Sequence, residues 1–493
     1  MYIILHTYMS TPSSPPSPKR IKTSLPTQSP PLLQSSGLRP SQLLRAFGRL
    51  FVHRQLGAWL TGGPRGFYNR AFTPLVTLWY LIFQRLCPNH TLSQVVADAL
   101  DGGADRLSPR GKPLSQQLMS ESTTTYSLAR QRLPLQAVEK ALRHIAQEAS
   151  ATQQIHLWFG LRPGLLDGTT TRMRPFGDIP QHFPPHRPGN CRTVPYWCVA
   201  RVVGLFCQAT GLLMDSAMDS LKTSEQALTA LLLKRGWKDW VMVGDRNFGV
   251  YTIARATVAA QAHLVARLTQ ARAKKLAASL GHKLTCGLDV QITWTPSRHD
   301  KIPPELEPLP VRGRLVVVRV FRPGFRPLDL YLFTTLTDSG IYTAVELAKL
   351  YGTRWQVELC FRYVKDQMDL ASFQCQSADM VRKEWLAGLM AYNLVRWVMG
   401  LAAENAKVPV ALLSFSRTRE LICGWLRHCG QRFPSVNSWC RLLNRVGRCR
   451  QSKRRKARPS QPRAVRPRRR DYADLKGSRA EACEKLIKAN AKS

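Results

Sequence analysis

Leu350–Leu370, LYGTRWQVELCFRYVKDQMDL, decides how the rest of the chain is read. As a helix at about 100° per residue, it brings Tyr351, Arg354, Glu358 and Lys365 within roughly 60° of one another around the axis. One face then carries a phenol, a guanidinium, a carboxylate and an ammonium. The other side supplies Val357, Leu359, Cys360, Phe361, Val364 and Met368, enough apolar surface to dock on a core. A carboxylate flanked by cations on a packed helix suits a site that holds a metal and the phosphates around it. The plain alternative is an i, i+4 pair between Arg354 and Glu358 with a solvated Lys365, worth roughly 0.3–0.5 kcal/mol.

Two stretches upstream share one pattern, an apolar run that ends in a carboxylate. Ile155 to Asp167 reads IHLWFGLRPGLLD and is followed by Gly-Thr-Thr; Trp240 to Asp245 reads WVMVGD and is followed by Arg246. Each fits a buried strand delivering an acid to its tip, although Asp-Gly alone is also an ordinary turn and a strand-end Asp also caps the next segment. Between them lie a hairpin, Tyr196 to Cys207 and Leu212 to Met218 with a turn at Ala209-Thr210-Gly211, and a helix from Thr223 to Arg235 with Glu225 in its first turn.

The spacing Tyr-x2-Arg-x3-Glu-x6-Lys resembles the signature of the insertion-sequence-4 family of DDE transposases, and all four positions match. The resemblance implies an α/β, ribonuclease H-like catalytic core (151–250 and 346–405) whose catalytic and metal-holding acids are Asp167, Asp245 and Glu358. It also implies phosphate contacts from Tyr351, Arg354 and Lys365, with Arg246 a further candidate. The 112 residues between Asp245 and Glu358 exceed an ordinary connection. Their apolar runs Ala262–Leu268, Leu288–Trp294, Arg314–Phe321 and Leu328–Leu336 resemble the family's β-rich insertion, taken here as 251–345. Trp294, Phe321, Phe325 and Tyr331 are candidates for stacking on an unpaired base, although ordinary sheet residues are the favoured reading for each.

Outside the core, residues 1–40 are Pro- and Ser-rich and expected to be disordered, with a later start such as Met9 conceivable. Residues 41–150 read as all-helical. Thr91–Leu100 and Ser122–Arg132 resemble helix-turn-helix pieces of a DNA-binding domain, or plain capped helices of a bundle. Val381–Ala402 and the stretch 406–447 are helical, and 448–493 is a basic tail expected to be disordered.

The net charge is +41, from 72 Lys and Arg against 31 Asp and Glu. From Arg448 onward, 17 basic and 4 acidic residues give +13, so +28 belongs to the rest of the chain. That spread favours double-stranded DNA over a membrane surface. The uncharged run Ala71–Gln84 is too short to span a bilayer, and twelve cysteines without a Cys-x2-Cys pair argue against a zinc site and for reduced thiols in a cytoplasmic protein.

The expected chemistry is two-metal phosphodiester transfer with Mg²⁺ or Mn²⁺ at the ends of an insertion sequence, by a homodimer that synapses two ends. The rival readings are a ribonuclease H-like nuclease without strand transfer and a non-catalytic, transposase-derived DNA-binding protein.

Overall fold

The computed structural model describes residues 4–5, 71–87, 91–107, 112–153, 157–185, 196–321, 328–431, 435–451 and 479–490. Its centre is a ten-stranded mixed sheet: β1 (Ile4–Leu5), β2 (Arg162–Met173), β3 (Cys198–Cys207), β4 (Leu213–Ser220), β5 (Trp240–Gly244), β6 (His263–Arg267), β7 (Asp289–Trp294), β8 (Val311–Phe321), β9 (Leu328–Thr334) and β10 (Ser372–Phe373). Along the sheet the order is β1-β8-β9-β6-β5-β2-β3-β4, with β10 on the far end of β2 and β7 on β8. β2, β3 and β4 form an antiparallel meander, whereas β5 lies parallel to β2 and β6 parallel to β5. All five residues of β5, Trp-Val-Met-Val-Gly, are buried, as a strand covered on both faces requires.

The helices lie on both sides of this sheet and over its β4 edge. They are α1 (Pro74–Leu86), α2 (Leu92–Leu100), α3 (Thr124–Arg132), α4 (Leu135–Ala151), α5 (Glu225–Leu233), α6 (Tyr251–Ala259), α7 (Gln270–Ala278), α8 (Ala344–Gly352), α9 (Gln356–Arg362), α10 (Ala378–Asn405), α11 (Phe415–Gln431) and α12 (Val436–Arg448). The 28-residue α10 is the organising helix, packed on α1, α4, α11 and α12 as well as β4. By length and composition alone it could cross a membrane, but 89% of its apolar window is buried in the protein. Its Asn393 side chain accepts from Leu213 N–H and donates to Leu213 C=O, both at 2.8 Å. The backbone of one residue at the start of the β4 edge is thereby satisfied by a helix. Further along, the buried Glu384 carboxylate pairs with Arg85 of α1 and Arg130 of α3, fastening the N-terminal helices to α10.

Four expectations need correction. Residues 251–345 do not stand apart as an insertion: β6 pairs parallel with β5, and β9, β8 and β7 extend the same sheet by antiparallel pairing from β6. Asp167 is not at a strand tip, because β2 runs on to Met173 with β3 as its partner throughout. Trp294, buried edge-on against Phe333 and Tyr251, takes the favoured reading of an ordinary sheet residue; Phe325 lies outside the described residues. Ile4 and Leu5 pair with Phe321 and Val320, and Arg479–Asn490 form a helix, both within stretches expected to be disordered; residues 6–40 and 452–478 lie outside the described residues.

Candidate active site

Strand register places the first two acids. Leu165 of β2 pairs with Val243 of β5, the last parallel pair between them. Two residues further along each chain stand Asp167 and Asp245. With a side-chain period of two and strands about 5 Å apart, both carboxylates are set on one face at one level. Asp167 Oδ1 accepts the Gly168 N–H at 2.9 Å, and Asp245 Oδ1 accepts the Asn247 N–H at 2.8 Å. Asp167 is pushed up to about 6. Burial is the main cause; the Gly168 amide and Arg354 oppose it, and the charges of Asp245 and Glu225 add to it.

The third acid comes from a segment that is not one regular helix. α8 ends at Gly352, Thr353–Trp355 tighten into a 3₁₀ turn, α9 comes next, and Tyr363–Gln367 widen into a π turn closed by Met368 N–H on Tyr363 C=O at 3.2 Å. The wide turn lays Tyr363 flat on Phe415, with ring centroids 4.6 Å apart and planes 6° from parallel. Asp369, at φ 52°, ends it. Each change of pitch rotates the residues beyond it, so the four signature residues do not share one face.

Their destinations differ accordingly. Arg354 reaches both ways, with Nη1 3.5 Å from Asp167 Oδ2 and Nη2 donating to Glu358 Oε1 at 2.9 Å. The Glu358 side chain is 59% exposed, on the open side of that guanidinium. Tyr351 is held above the usual phenol range mainly by burial, with Arg354 and Arg267 opposing and Asp245 adding, which puts it at the inner wall of the same site. Lys365 is not brought to the acids. Burial lowers its ammonium, Asp366 opposes and neighbouring Arg172 adds to the lowering. Arg172 lies five residues along β2 from Asp167, roughly 17 Å at strand rise. Arg246 is exposed on the turn after β5.

Two residues of the site were not singled out from the sequence. Glu225, the first residue of α5, lies over Gly168, and Asn247 donates its side-chain N–H to Glu225 Oε2. In the sequence Glu225 is an unremarked acid in a helix's first turn, and the one hint is the glycine directly after Asp167.

The donor groups are all carboxylate oxygens, the set that Mg²⁺ or Mn²⁺ takes from proteins, so the residues fit such an ion in kind. Among the described residues no three His, Cys, Asp or Glu groups stand close enough to enclose an ion. Arg354 lies between Asp167 and Glu358 and supplies positive charge there.

Comparison with known proteins bears on the same residues. Residues 158–394 match the family model described as "Transposase DDE domain". Transposase InsG for insertion sequence element IS4, from Escherichia coli, is 27% identical over 290 residues, which is 57% of this chain and 61% of that relative. The chain is thus matched to less than two thirds of the relative's length. A solved piggyBac transposase synaptic complex with hairpin DNA aligns over 87% of both chains at 10% identity, with a TM-score of 0.41. The match spans Asp167, Asp245 and Glu358, so residues 158–394 form a transposase DDE domain, similar to that of the matched insertion-sequence relative.

Proposed function

We propose that this transposase cleaves the ends of an insertion sequence and joins them to target DNA by phosphodiester transfer, with Asp167, Asp245 and Glu358 as the catalytic acids. The observation that carries the reading is the strand register, which sets Asp167 and Asp245 side by side beyond the Leu165–Val243 pair, with Glu358 tied to Asp167 through Arg354. A ribonuclease H-like core is supported by the strand order β4-β3-β2-β5-β6, in which three antiparallel strands are followed by two parallel ones.

Two divalent cations, when bound, would lower the pKa of the attacking water or 3′-hydroxyl and stabilise the leaving oxygen. Asp167, Asp245 and Glu358 would hold them. Tyr351 walls the site on the Asp245 side, and Arg354 is placed to take a phosphate oxygen once it releases its carboxylates. Lys365 and Arg172 form a second cationic pair further along β2, away from the acids and suited to backbone phosphates other than the scissile one. The N-terminal helices, including α2 and α3, and the +28 carried outside the tail suit double-stranded DNA, and a homodimer would hold two ends together.

The test is cleavage and joining of element-end DNA in Mg²⁺ by wild type, Asp167→Asn, Asp245→Asn and Glu358→Gln. Loss of both products in all three variants, with DNA binding kept, is expected. If the variants cut as wild type does, the assignment fails; if wild type cuts but never joins, the protein is a nuclease.

A further inference from the structure

We infer that Glu225 is a positioning residue of this site: through Asn247 it fixes the carboxylate of Asp245 opposite Asp167. The inference rests on the proposed catalytic role of those two acids. Asn247 is the physical link. Its backbone N–H is donated to Asp245 Oδ1 at 2.8 Å, while its side-chain N–H is donated to Glu225 Oε2. Gln226 then donates its side-chain N–H to Asn247 C=O at 2.9 Å and to Asn247 Oδ1 at 3.0 Å, which leaves the Asn247 amide one orientation. The turn after β5, whose geometry aims Asp245, is therefore held by two consecutive residues at the start of α5.

An acid at a helix start ordinarily serves the helix itself. Here that work falls to Ser224, whose hydroxyl accepts from Ala227 N–H at 3.1 Å. The Glu225 carboxylate instead lies against β2: a Cβ on Gly168 would come within 2.5 Å of both Glu225 Cδ and Oε1. Glycine beside Asp167 is thus what admits the carboxylate. Placing a negative group so near Asp167 and Asp245 is unfavourable in itself, so its retention is better matched to a site that takes cations than to bare stability. Groups that orient metal-holding carboxylates typically change metal affinity or activity by about 10–100-fold when removed.

The experiment measures Mn²⁺ affinity by titration and element-end cleavage for wild type, Glu225→Ala, Glu225→Gln and Asn247→Ala, with thermal melts to confirm folding. Glu225→Ala and Asn247→Ala should each lose about 10-fold or more in both readouts, and the double variant should lose no more than either, because both act through one link. Glu225→Gln, whose amide oxygen still accepts from Asn247, should restore most of the loss and serves as the folded comparison. Wild-type Mn²⁺ affinity in Glu225→Ala overturns the inference. So does equal loss in Glu225→Gln and Glu225→Ala, which would make the charge itself the active feature. Should Asp167→Asn and Asp245→Asn cut normally, the catalytic reading fails instead, whatever Glu225 does.

Discussion

Asp167→Asn should make the metal-free protein more stable, and by an amount that depends on pH. In the folded protein the Asp167 carboxyl is pushed up to about 6 from its ordinary 3.8, chiefly by burial. The folded state therefore holds the Asp167 proton more tightly than the unfolded state. Stability from this group is fully present below pH 3.8 and is lost as pH rises through about 6. A shift of about two units corresponds to about 3 kcal/mol that wild type forgoes above pH 6 and the asparagine variant does not. With an unfolding entropy near 2.1 cal/mol/K per residue, that is a melting difference of roughly 3 °C for a chain of this length. The assay is thermal unfolding of both proteins in chelator at pH 4.5 and pH 8, then with saturating Mg²⁺. The variant should gain fully at pH 8 and only about a third as much at pH 4.5, where the loss has begun. Mg²⁺ should raise the melting point of wild type alone, since binding at about 100 times Kd adds about 2.7 kcal/mol. An asparagine variant that is less stable than wild type at pH 8 in chelator would refute the electrostatic account of the site.

Glu384→Gln should cost roughly 3–5 kcal/mol in denaturant unfolding, because it leaves Arg85 and Arg130 facing a neutral group in a buried setting. Burial would raise the Glu384 carboxyl, but Arg85 and Arg130 outweigh it and hold it below its ordinary 4.5. Wild type should therefore lose stability as pH falls below that value, and the variant should not. Lys365→Ala and Arg172→Ala should each flatten the logarithmic salt dependence of DNA binding by about one unit, measured by titration at several salt concentrations. If neither changes it, that cationic pair does not meet the backbone.

The elements of the core are legible where one residue's neighbours in sequence decide its surroundings. WVMVG reads as a doubly covered strand because every side chain is apolar, and it is one. The hairpin follows from two apolar runs about Gly211, whose φ of 69° only glycine takes readily. What sequence could not supply was pairing. Nothing in His263–Arg267 or Leu328–Thr334 says that these strands continue the central sheet instead of closing a sheet of their own, since edge pairing is decided by distant partners. Likewise, a regular period of 3.6 places Lys365 near Glu358, and the wide turn at Tyr363 that carries it to Arg172 depends on Phe415, more than fifty residues away. Glu225 was missed for the same reason: its role exists only across the gap to Gly168 and Asn247.

The position of Arg354 sets the order of events that the proposed chemistry requires. Asp245 and Glu225 add negative charge near Asp167, and Glu358 shares Arg354 with it, so in the absence of ions some cation must offset the charge. Arg354 does so for Asp167 and Glu358 together, with one guanidinium nitrogen toward each. The N–H bonds aimed at these carboxylates are not open to a phosphate while the pairs last, since the planar fork presents its donors in fixed directions. Divalent cations held by the acids would supply the same positive charge, which would leave Arg354 to hold a DNA phosphate. An arginine that begins as the counterion of the site would then finish as a holder of its substrate.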